Sequence, residues 1–248
     1  MNLQGWPFPI TVLGDVGSGG PAQLIVDLGV AMTPECFERL AYAVDRFVAL
    51  AQAGGLGGDR IPPDRVVAEL GPTAPPRAGA RAQWDLARLG VDLRGLGVLF
   101  DAIALLADAP RGLTLTAGGL LQQPAFGPEE LSPAWPSLPF AIDDDRTGPN
   151  VELEIELVER PDEAQTAALL DAVGVWLDCG SIRGYRDPTG KPDGGYLAPI
   201  EDPRFRLQGT TLAALLHDSG VLEQGYDILL NVLCRLHATV PIARVELL

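Results

Sequence analysis

Cys234 and His237 stand three residues apart, so on a helix both could touch one metal ion. No third ligand accompanies them, and core packing is the stronger reading. The chain holds only two histidines, His217 and His237, which excludes a His-rich metal or phosphohydrolase site. His217-Asp218-Ser219 has the residue types of a hydrolytic triad, but adjacent residues do not converge on one point. Asp218 and Ser219 read instead as turn or capping residues before Gly220. Cys36 falls in a first helical turn, where the dipole favours a thiolate, yet no base lies near it in sequence. Gly14 to Gly20 resembles a phosphate loop but lacks the Gly-Lys-Ser/Thr ending, and the residues after it read as a strand. That segment is expected to be a flexible leader. Asp143-Asp144-Asp145 has neither the glycine spacing nor the distal glutamate of a calcium loop, and reads as solvated linker. The expectation is therefore no catalytic residue, no cofactor and no metal centre.

Two other features suit recognition. The stretch from Gly184 to Tyr196 combines paired Gly and Pro with Tyr185, Arg186, Asp187, Lys191 and Tyr196, so a projecting loop with interface-anchoring side chains is expected. In Val151–Val158 the apolar residues alternate with Glu152, Glu154 and Glu156, which puts the carboxylates on one face of a strand. Solvating an open sheet face is the plainer role for them; docking a basic protein is the functional one. Strand neighbours of this kind stand about 7 Å apart, too far for all three to share one ion.

The elements that must position these residues come from an internal repeat. At an offset of 129, Leu24, Val26 and Leu28 fall on Leu153, Ile155 and Leu157, and Leu40, Val44, Phe47 and Val48 fall on Leu169, Val173, Trp176 and Leu177. At 130, Gly95 falls on Gly225, and Val98 to Leu106 on Ile228 to Leu236. Leu113 and Leu115 meet Ala243 and Val245 at the same spacing. Thr33-Pro34-Glu35 opens a first helix and Gly54-Gly55 stops it; Pro161-Asp162-Glu163 and Gly180 bound its counterpart. The second helices run from Leu93 to Asp108 and from Leu222 to His237. Short apolar pieces precede them (Trp84–Leu89, Thr211–Leu216), and strands close each copy (Gly112–Ala117, Pro241–Leu247). Candidate middle strands are Arg65–Leu70, Gly195–Leu197 and Arg204–Gln208. A hairpin there gives each copy the βαββαβ order of a ferredoxin-like sandwich, in an α+β protein of two tandem pseudo-repeated units. The boundaries are 1–119 for the first unit with its leader, 120–149 for a Pro-rich linker ordered across one unit, and 150–248 for the second.

Composition sets the partners. Acids outnumber bases 33 to 18 and the net charge is -15, which argues against a nucleic-acid backbone or an anionic membrane as partner. The surplus is uneven: 12 acids against 9 bases in residues 1–120, 5 against 1 in 121–149, and 16 against 8 in 150–248. No apolar run is long enough to span a bilayer and no secretory signal is evident. Three unpatterned cysteines read as free thiols in a reducing, cytoplasmic setting. The function these features suggest is a non-enzymatic acidic protein-binding module, for instance an inhibitor or immunity-type protein that neutralises a basic partner. The alternative is an enzyme or small-ligand sensor with a pocket between the two repeats. A third reading is a homo-oligomer assembled through an exposed strand such as Pro241–Leu247.

Overall fold

The computed structural model describes residues 2–3, 6, 8–57, 66–71, 81–92, 95–106, 111–118, 138–185, 195–221 and 223–248. They form a mixed α+β structure of four helices and two sheets. In chain order the first half holds β1 (Asn2–Leu3), β2 (Ile10–Leu13), β3 (Gly20–Asp27), α1 (Pro34–Gln52), β4 (Val67–Leu70), β5 (Arg81–Gly90), α2 (Gly95–Leu106) and β6 (Gly112–Ala117). The second half holds β7 (Ala141–Asp144), β8 (Asn150–Leu157), α3 (Glu163–Ser181), β9 (Leu197–Pro199), β10 (Arg206–Gln208), β11 (Thr211–Asp218), α4 (Glu223–Leu236) and β12 (Ile242–Leu247).

The first sheet runs β1-β2-β6-β3-β5-β4, and the second β10-β11-β8-β12-β7 with β9 also on β11. Around β3 and around β8 the ladders are antiparallel, while β2 lies parallel to β6 and β7 parallel to β12. Both parallel strands occupy segments that read as leader and linker. Gly14–Gly20 is not a loose leader. Gly14 turns with φ 81° where a Cβ would strike the Ala117 carbonyl, and the Gly19 N–H donates to Leu89 O at 2.9 Å. Ile10 and Val12 are buried, which anchors β2 under the helices.

Local chemistry fixes the helices in matching frames. Thr33 caps α1 by accepting the Cys36 N–H, and Asp162 caps α3 by accepting the Gln165 N–H within a capping box. The two caps stand 129 residues apart although the nearby prolines do not. Both helices end alike: the Gly55 N–H returns to Leu50 O at 3.0 Å and the Gly184 N–H to Cys179 O at 2.8 Å. The residue before each has positive φ, 87° at Gly54 and 59° at Arg183. Arg183 is the one non-glycine with positive φ among the described residues.

The helices cover one face of each sheet and then pack on each other, α1 on α3. A single buried cluster takes in residues from both halves of the chain, Phe47, Phe100, Trp176 and Leu229 among them. Gly55 sits against Ile228 and Val232, and its counterpart Gly184 against Val98. The Asn231 amide donates to Gly55 O at 3.3 Å and Gly57 O at 3.2 Å, tying α4 to the end of α1. Arg46 reaches Asp178 across the same boundary at 3.3 Å. Among the described residues the layers thus run sheet, helices, helices, sheet, and the sheet faces that carry no described helix point away from one another.

Candidate functional site

The uncovered face of the second sheet follows from strict alternation. Val151, Leu153, Ile155 and Leu157 turn inward, as do Leu212, Ala214 and Leu216 on β11. Glu152, Glu154 and Glu156 therefore turn outward. Pairing sets their neighbours: Glu152 lies opposite Leu215, Glu154 opposite Ala213 and Glu246, and Glu156 opposite Thr211 and Arg244. Asp143 of β7 extends the Glu154–Glu246 row by one strand. Arg244 donates its Nε to Asp143 at 2.7 Å, and its Nη1 reaches Glu246 at 2.8 Å. No ion pair among the described residues engages Glu152, Glu154 or Glu156. Arg206 of β10, one strand beyond Ala213 in the Glu154 row, is paired to Glu201 at 3.0 Å.

The first sheet presents a different surface. Gln83, Ile25, Thr114 and Thr11 form one outward row; Asp85, Gln23, Thr116 and Leu13 form the next. Both glutamine amides donate to Asp85 Oδ1, at 3.0 and 3.2 Å. Arg81 binds Asp27 at 2.9 Å, and this hydrogen bond holds the Asp27 carboxyl below the usual carboxylate range.

The remaining residues singled out in the sequence fall elsewhere. Tyr185 is 3% exposed and its hydroxyl donates to Trp176 O at 2.9 Å, so it belongs to the core and not to a projecting loop. Its aromatic body packs on Gly225, as Leu56 packs on Gly95 in the first unit. That equivalence was readable: the 129-residue offset, carried past the helix end, places Gly55-Leu56 on Gly184-Tyr185. Tyr196 is half-buried and its carbonyl accepts the Ser219 N–H. Arg186, Asp187 and Lys191 lie outside the described residues. Asp218 accepts the Val221 N–H at 2.7 Å and the Tyr226 hydroxyl at 2.6 Å, closing the turn at Gly220. His217 faces outward beside Asn150, and His237 Nδ1 accepts the Ile242 N–H.

Nothing in the sequence singles out Arg146, yet it organises a cluster of its own. Its guanidinium binds Asp144 at 2.6 Å and Glu223 at 2.8 Å, and lies 3.8 Å from the centre of the Tyr226 ring. Hydrogen bonding from Arg146 depresses the Asp144 carboxyl, while burial pushes the Tyr226 hydroxyl up. The cluster fastens β7 to the start of α4, and its charged groups satisfy one another. Among the described residues no group of three or more His, Cys, Asp or Glu side chains converges as a metal site. None of the described helices is long and apolar enough to cross a membrane.

No protein-family model matches the chain, and no curated protein matches its sequence. What the described residues offer is a carboxylate-bearing sheet face that no described helix covers.

Proposed function

We propose that the chain is a tandem pair of ferredoxin-like sandwiches that acts as an acidic protein-binding module. The outward face of its second sheet docks a basic protein. The duplication rests on the order β6-β3-β5-β4 in one unit and β12-β8-β11 followed by β9 and β10 in the other, with helices at matching offsets. The observation carrying the function is that Glu152, Glu154 and Glu156 all face outward with no ion-pair partner among the described residues, beside Glu246 and Asp143. An inhibitor or immunity-type protein that covers a basic active site is one concrete form. Cys36, Cys179 and Cys234, none of them in a disulfide, suit a reducing, cytoplasmic setting.

Such a face contributes mainly to encounter rate and specificity. Exposed ion pairs contribute about 0.2–1 kcal/mol each, so three new pairs supply roughly 0.6–3 kcal/mol, screened over about 8 Å at physiological salt. Tight binding would need apolar contact as well, and Leu215 and Ala213 line the carboxylate stripe on its β11 side. The test is affinity capture from the native source on the immobilised chain, with the triple substitution E152K/E154K/E156K as the paired control. A basic protein retained by the native chain, released by salt and lost from the variant supports the reading. A partner that binds both equally at every salt concentration overturns it.

A further inference from the structure

We infer that the uncovered face of the first sheet is the contact surface of a symmetric dimer of this chain. Electrostatics and geometry both lead there. Each copy carries a net charge of -15, so self-association must keep the acidic surfaces apart. The two uncovered sheet faces lie on opposite sides of four layers. With layers about 10 Å apart, joining copies through the first sheet separates their acidic faces by roughly 70 Å, far beyond a Debye length of about 8 Å. Joining them through the second sheet would bring the carboxylates of Glu152, Glu154 and Glu156 to about 10 Å from their copies.

The first face is also chemically suited to meet itself. Its central row, Gln83–Ile25–Thr114–Thr11, is uncharged, and in the next row Asp85 is already held by two glutamine amides. The charged groups at its margin, Asp27 with Arg81 and Glu69 with Arg88, are paired. Leu13 is 44% exposed at one end of this surface. Five strands at about 4.8 Å, by about 25 Å along β3, give a footprint of roughly 600 Å² before side-chain relief is counted, against roughly 800 Å² per partner in a standard interface. A two-fold axis near Ile25 places Ile25 and Thr114 of one copy on the same residues of the other. This surface is separate from the acidic one, and partner capture and dimer mass report on them independently.

Sedimentation equilibrium of the full chain tests this. The expected mass is twice the 26.2 kDa chain. The dimer should be held as firmly at physiological salt as at low salt, or more firmly, because salt screens the repulsion between copies. Ile25→Arg and Thr114→Arg, which bury a charge against its own copy, should each give a monomer with native circular dichroism. Gln83→Arg, at an exposed position, serves if either fails to fold. Glu154→Arg, on the opposite face, should remain dimeric. A monomeric native chain overturns the inference. So does a dimer that survives the first-face substitutions in folded protein, or one that Glu154→Arg abolishes.

Discussion

Asn231 is the polar tie that should most visibly hold the two units as one body. It is 7% exposed on α4, and its amide donates to two carbonyls just past the end of α1, at Gly55 and Gly57. Replacing it with leucine keeps the branched shape and the number of side-chain heavy atoms and removes both donors. Gly55 is buried, so its carbonyl loses its side-chain donor out of reach of bulk water, which costs about 1–3 kcal/mol. The half-buried Gly57 carbonyl adds about 0.5–1 kcal/mol, and burying the leucine returns about 1 kcal/mol. The net destabilisation is about 0.5–3 kcal/mol, or roughly 1–12 °C in Tm for a chain of this size. Asn231→Asp should be worse at neutral pH, because a carboxylate would point its lone pairs at two carbonyl oxygens in a poorly solvated place. Its folded-state pKa would be raised, so stability is retained in acid, where the carboxyl is neutral, and lost as pH rises through the carboxylate range. Thermal melts across pH, followed by both near-UV and far-UV circular dichroism, measure this. If Asn231→Leu melted with the native chain, or Asn231→Asp showed no recovery in acid, the tie would be dispensable and the layered arrangement would rest on apolar packing alone.

Three further outcomes are expected. Arg146→Met removes two ion pairs and a ring contact; it should destabilise the native chain by about 1–3 kcal/mol, with hydrogen exchange rising first at β7 and the start of α4. Because Arg146 depresses the Asp144 carboxyl, its contribution is present at neutral pH and lost as pH falls through and below the carboxylate range; the difference between native and variant melts should narrow there. Tyr185→Phe should cost about 1 kcal/mol by leaving Trp176 O one donor short, and should leave any protein partner's affinity unchanged, since the hydroxyl is buried. Peptide mass spectrometry after iodoacetamide treatment of the native chain should find Cys179 unmodified, because burial pushes its thiol far up. Cys234, raised to about 11, should react slowly, and half-exposed Cys36 first.

Much of this architecture was legible because its signals are local. The run Val151–Leu157 alternates without a break, and Thr33 and Asp162 each sit one residue before the first residue of a helix. What was hidden depends on partners far along the chain. Ile10–Leu13 is four residues long and comes just after two prolines, and nothing local says that it will lie parallel to Leu113–Thr116, about a hundred residues away. Ala141–Asp144 likewise ends in aspartates that suggest solvent, yet its backbone pairs with β12. Tyr185 is hidden for a different reason: its Gly- and Pro-rich neighbourhood suggests a projecting loop, whereas its backbone repeats the helix-end geometry of Gly54-Gly55-Leu56. Arg183 is the clue there, since it occupies a left-handed position where the first unit has glycine.

The two halves keep one packing scheme and differ where packing exerts no control. Inside, Phe47 and Trp176 take equivalent places, as do Leu56 and Tyr185, and the second unit's larger side chains come with their own hydrogen bonds. The Trp176 indole donates to Gly225 O at 2.7 Å. Outside, Ile25 of one sheet stands where Glu154 stands in the other. An inward residue is held to apolar chemistry by its neighbours, whereas an outward one on an uncovered sheet can change charge at little cost in stability. Two sheets whose outward faces differ this much, over one shared buried cluster, present two chemically distinct surfaces. The proposed self-contact of one face and the proposed docking of a basic protein on the other both draw on that division.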